Sequence, residues 1–242
     1  MSSYVYTAAL IVAAGLAGSG VAVGHGLVDA RRADRFVTVK GVSEREVEAD
    51  LAFWSITLSA PAAELQAGQA ELERSVATVV SYLGEFGLEP STVSLEGAGA
   101  TDHATQVRSS SEEALRFVVS QTVLVRSTDV DAVHAASQEV GRLLAAGVPM
   151  TSGSGWGYSR PTYSFTRLND VKPQMIAEAT ASAREAAQQF ANDSGGTLGG
   201  IRRANQGVFV ILARDQAPGV DEAVQRLKTV RVVTTVEYYL QD

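Results

Sequence analysis

The chain has 242 residues, 45% of them hydrophobic, enough to bury a sizeable core as one large or two small domains, and disorder is excluded. A formal net charge of −7, carried by interspersed acidic and basic residues, excludes a nucleic-acid surface, which needs a basic face or stripe. With no cysteine there is no disulfide framework, no thiolate nucleophile and no cysteine-based metal site.

Residues 4–23 carry no formal charge. At about 1.5 Å per residue a helix of that length crosses a hydrocarbon core of about 30 Å, so the sequence predicts an uncleaved transmembrane anchor within residues 1–33. A cleaved signal peptide and a buried core helix are the competing readings. Gly20 and Gly24 form a GxxxG, which lets two helix backbones approach closely in lipid. Arg31, Arg32 and Arg35 follow the segment, and taken alone they hold the body in the cytoplasm.

Residues 35–52 read as two strands joined by a polar turn: Val37 and Val39 alternate with Thr38 and Lys40, Gly41 breaks the run, and alternation resumes near Val47. A strand over 46–60, apolar on both faces, ends at Pro61. From 64 to 86, Leu65, Leu72, Val76, Val79, Leu83 and Phe86 fall at helical spacing, and Gly87 closes the helix. A strand near 93–99, a polar loop over 101–113 and a strand over 115–126 follow. Asp129 then caps a helix predicted over 129–146, burying Val130, Val133, Val140 and Leu143. The Gly/Ser/aromatic stretch after Pro149 reads as a strand kinked at its glycines. An Ala-rich helix over 172–193 carries Pro173 in its first turn and stops at Gly195-Gly196. Strands over 201–212 and 228–240, with a polar loop between them, complete the chain.

Helix, strand, polar loop, strand occurs twice, over 64–126 and over 172–240. The fold class expected is therefore α+β: two related lobes, about 34–127 and 128–242, of antiparallel sheet with helices on one face, preceded by one transmembrane helix.

The sequence carries no catalytic constellation. His25, His103 and His134 stand apart, without HExxH or carboxylate spacing, so neither a metal nor a cofactor is expected. The glycines of 153–157 and 195–200 complete neither GxGxxG nor GxxxxGK[ST] nor GxSxG, and read as turns. Glu44, Glu46, Glu48 and Asp50 fall at period two on one strand face, a solvated edge with Lys40 and Arg45 close enough to neutralise it. Trp156, Tyr158, Tyr163 and Phe165 form an aromatic group suited to core packing, a subunit contact or a stacked ligand.

Three long strings, ADRFVTVKGVSEREVEADLAFW, DVKPQMIAEATASAREAAQQFANDSGGTLGGIRRANQGVF and TVRVVTTVEYYLQD, occur in order and resemble the SIMPL-domain family of bacterial cell-envelope proteins across nearly the whole chain from Asp34. The resemblance implies a non-enzymatic body that assembles into a ring- or cage-like homo-oligomer and is linked to envelope and oxidative-stress phenotypes. It also implies a body outside the cytoplasmic membrane, against the three arginines, and the expectation is single-pass anchoring with an extracytoplasmic body. The alternative is an envelope binding module that holds a small ligand or a protein through the aromatic stretch.

Overall fold

The computed structural model describes residues 15–16, 19–21, 35–102, 116–151 and 160–241. Strands are β1 (Phe36–Glu48), β2 (Leu51–Ala62), β3 (Val93–Asp102), β4 (Phe117–Ser127), β5 (Met150–Thr151), β6 (Thr162–Ser164), β7 (Thr197–Gln206), β8 (Val210–Ala213) and β9 (Leu227–Gln241). Helices are α1 (Leu65–Glu85), α2 (Val130–Gln138), α3 (Gly141–Ala145) and α4 (Leu168–Asp193). The α+β class with antiparallel sheets is what the alternation of these strands and the period of these helices require.

The transmembrane part of the expected fold is corrected. A span needs about 20 consecutive apolar residues in helix, and no helix among the described residues is long and apolar enough to cross a membrane. Of residues 4–23 only 15–16 and 19–21 are described, helical and exposed; the remainder lie outside the described residues. The single-pass placement at the cytoplasmic membrane, and the extracytoplasmic body hung from it, lose their support with it.

The chain divides into two compact units. One holds the described residues through Glu44, Val171–Val210 and the chain from Arg231; the other holds Arg45–Asp170 and Ile211–Val230. Each therefore draws on segments from both sides of residue 127.

In the second unit the sheet runs β3-β4-β2-β5, with β6 also on β2. β2 and β4 are antiparallel from Ala52 opposite Ser127 to Ala62 opposite Phe117. Pro61 does not end β2. It sits opposite Val118, while on the other side of β2 the partners reach only 57–58 and 51–53, so its missing N–H leaves no bond unmade there. Helix α1 lies over β2 and β4 and buries Leu72, Val79 and Leu83, as its spacing predicts, but Leu65 is exposed at its first turn. Gly87, at φ 80°, turns the chain out of α1, and Leu88 N–H returns to the Leu83 carbonyl at 3.2 Å. Asp129 caps α2 by accepting from Ala132 N–H at 2.9 Å. The single helix expected over 129–146 is two, because the backbone turns at Glu139 and Val140 with bonds to residues three back.

In the first unit the order is β1-β9-β7. Leu240 N–H donates to the Arg35 carbonyl at 2.9 Å, so the start of β1 meets the end of β9. Gly41 does not break β1, which runs unbroken to Glu48. Across this sheet lies α4, whose Met175, Ala179, Ala183, Ala187 and Ala191 are fully buried at a four-residue spacing. Val39, Val236 and Tyr238 meet the Ala183 and Ala187 faces, and the Ser43 hydroxyl donates to Glu178 at 2.7 Å. Helix α4 starts four residues earlier than Pro173 suggests. The reason is Asp50, which takes the N–H groups of Thr166 and Arg167 at 2.9 and 3.2 Å and fixes the chain entering the helix.

Both sheets thus repeat one path: a strand (β2 or β1), a long helix (α1 or α4), an outer strand (β3 or β7), and a last strand (β4 or β9) that returns between the other two.

Candidate functional site

Helical spacing in α1 puts Thr78, Ser81, Tyr82 and Glu85 on one side, and Arg142, Leu143 and Ala146 face them from α3 and the residue after it. Between them is an open hollow of about 420 Å³. Arg142 holds Glu85 at 2.5 Å and Glu139 at 3.3 Å, and its guanidinium stands over the Tyr82 ring, 5.5 Å from the centroid. Tyr82 meets Phe86 edge to face at 5.1 Å and donates its hydroxyl to the Ala136 carbonyl at 2.5 Å. Burial, reinforced by the Glu139 charge and opposed by Arg142, pushes the Tyr82 phenol up to about 12. The hydrogen bonds that Arg142 donates to Glu85 and then to Glu139 raise it further above the usual arginine range. Across the neutral range the phenol keeps its proton and the guanidinium its charge, already matched by two carboxylates.

The residues singled out from sequence fall in different places. Trp156 and Tyr158 lie outside the described residues, as do Gly24, His25 and His103. Gly20 is exposed, and a Cβ on it would meet nothing within 4 Å. Tyr163 and Phe165 are buried, at 5% and 8% exposure, so little ring surface is left for a ligand. The Tyr163 hydroxyl meets Nδ1 of His134 at 3.1 Å, so His134 is half-buried against a partner and not a bare helix-surface residue. Burial raises the Tyr163 phenol, against the Arg226 charge and a bond with Ser137. In the acidic row, Glu44 pairs with Arg231 of β9 at 3.1 Å, and Asp50 takes four bonds from Thr166 and Arg167. Among the described residues no group of three or more His, Cys, Asp or Glu side chains is placed to hold a metal ion.

Sequence reasoning left β3 and β7 without a role. Each ends its sheet's path, and both are exposed along most of their length. Leu95 on β3 and Ile201 on β7 are about half exposed, at 51% and 53%, and Val208 just past β7 stands 83% exposed. The signal was present as small-residue runs inside strands, EGAGA over 96–100 and LGGI over 198–201, which leave a strand little side-chain cover. Arg202 flanks this edge, over the Phe36 ring at 4.1 Å and 3.5 Å from Glu237.

These sheets and the strands at their ends coincide with a known family unit: the model of the SIMPL family, a protein of unknown function (DUF541), matches residues 37–238. The chain belongs to the SIMPL family. The match begins at the second residue of β1 and ends within β9, so the SIMPL region takes in both sheets, the α1/α3 hollow and the edge strands β3 and β7. No curated protein matches the chain.

Proposed function

We propose that this SIMPL chain is a non-catalytic module that self-associates, closing into a ring- or cage-like homo-oligomer. The observation that carries the reading is the pair of open edge strands, β3 and β7, with Leu95, Ile201 and Val208 exposed beside them. An edge strand presents unpaired N–H and C=O groups that a neighbouring copy takes up, and aliphatic side chains buried in the contact add about 25 cal/mol per Å². Sedimentation of the full chain over a wide concentration range tests it, with Ile201→Asp and Val208→Asp beside the unmodified protein. Assembly that weakens in both variants supports the reading; unmodified protein that sediments as a monomer throughout removes it.

A second reading, a binding module, rests on the α1/α3 hollow, where the Thr78 and Ser81 hydroxyls and the Glu85–Arg142 pair stand over the buried Leu143. Ala77→Phe fills that hollow and separates the two: assembly survives it if the edges carry association and fails if the hollow does.

A further inference from the structure

The β3 and β7 edges are not alike, and the difference decides how they meet. The register of β3 on β4 shifts between Glu96 and Gly99, where Gly97 takes φ 61°. That of β7 on β9 shifts between Leu198 and Ile201 and again between Ile201 and Arg203. Bulges twist an edge away from a would-be neighbour, so only the regular runs can accept one. On β7 the longest such run is 203–206, opposite 234–237. On β3 there are two, 93–96 and 99–102. The second ends on Asp102, whose carboxylate is held by Arg116 at 2.7 Å. The first ends on Glu96, which is exposed and makes no ion pair among the described residues; Arg203 on β7 is in the same state.

Laid antiparallel, 93–96 on 203–206 sets Glu96 opposite Arg203, Leu95 opposite Ala204, Ser94 opposite Asn205 and Val93 opposite Gln206. Directly opposite residues share a face with Cβ atoms about 5 Å apart, so the carboxylate meets the guanidinium and the hydroxyl meets the amide. Neither like-with-like pairing does this. Two copies of 93–96 place Val93 against Glu96, and two copies of 203–206 place Arg203 against Gln206, so neither sets an acid opposite a base across the contact. Neither edge carries a proline or lysine to discourage pairing.

We infer that residues 93–96 of one copy pair antiparallel with residues 203–206 of a second copy, with Glu96 and Arg203 setting the register. This rests on the self-association proposed above and names its contact. The contact is heterologous: a copy that has used its β3 still offers its β7, so addition continues head to tail until the rotation closes a ring.

The absence of cysteine makes the test direct. In the full chain, Glu96→Cys protein mixed with Arg203→Cys protein under mild oxidation gives a disulfide-linked dimer in high yield, while each variant alone gives little. A second arm reverses charge. Glu96→Arg or Arg203→Glu alone weakens association by about tenfold or more, and the double exchange restores it to within about threefold. Both positions are exposed, so the variants fold. Assembly that persists with no mixed disulfide and no response to charge reversal overturns this pairing while leaving self-association standing. An unmodified chain that is monomeric at every concentration overturns both.

Discussion

A Cβ on Gly41 would stand 1.8 Å from the carbonyl oxygen of Ala179 and 2.5 Å from the amide nitrogen of Ala183. The strand backbone of β1 therefore lies directly on the helix backbone of α4, an approach that only glycine below and alanine above allow. Because the obstructing atoms are backbone, they do not swing aside. Gly41→Ala is expected to destabilise the fold by about 1–3 kcal/mol or more through forced displacement of α4. Urea unfolding checks it: the midpoint falls with the slope unchanged, and an unshifted midpoint contradicts the packing described.

Asp50 joins the start of β2 to the start of α4. Burial alone would raise its carboxyl, but the bonds from Thr166, through backbone and hydroxyl, and from Arg167, through backbone and guanidinium, outweigh it and hold the group below its ordinary 3.8. A carboxyl lowered by folding contributes stability above its unfolded value and loses it as the pH falls through the folded one. Asp50→Asn is therefore expected to cost about 1.5–3 kcal/mol at neutral pH, since it replaces charge-assisted bonds. Its deficit against the unmodified protein should shrink as the pH drops below 3.8. A deficit that stays constant down to acid unfolding would show that the charge is not what holds this corner.

Tyr82 behaves oppositely. Its phenol, near 10 when unfolded, is pushed up to about 12 in the fold, so the stability linked to it is complete below 10 and declines as the pH rises through 12. Tyr82→Phe deletes the bond to the Ala136 carbonyl and is expected to cost about 1 kcal/mol near neutral pH. Ultraviolet titration of phenolate checks the shift: one late-ionising tyrosine should vanish from the profile of the Phe variant.

Much of the architecture was legible in the chain itself. Leu72, Val79 and Leu83 announce the buried stripe of α1, the alternation in 228–240 announces β9, and Asp129 announces the start of α2, because each of these signals is local. What was illegible depends on partners far away in sequence. Gly41 reads as a break until α4 is laid on it, and α4 reads as starting near Pro173 until Asp50 is seen to hold residues 166–167. The hollow beside Arg142 joins α1 to a helix more than 50 residues later, with no motif to mark it. Hydropathy over 4–23 predicted a span, and no described helix meets the length and apolarity that a span requires.

Asp129→Ala is a control on the local kind of signal. It removes the acceptor for Ala132 N–H, and a loss of about 1 kcal/mol is expected, without effect on the edges of β3 or β7. Assembly that follows this small loss of stability, and not changes at the edges, would show that association reflects partial unfolding.

The central claim, that the SIMPL body associates through open sheet edges, is tested most directly by light scattering of the full chain during size separation, repeated over a broad concentration range. One chain weighs 25.4 kDa. The expected mass is a whole-number multiple of this and falls toward a single chain in Ile201→Asp and in Glu96→Arg. A mass of 25.4 kDa for the unmodified protein at every concentration would contradict it.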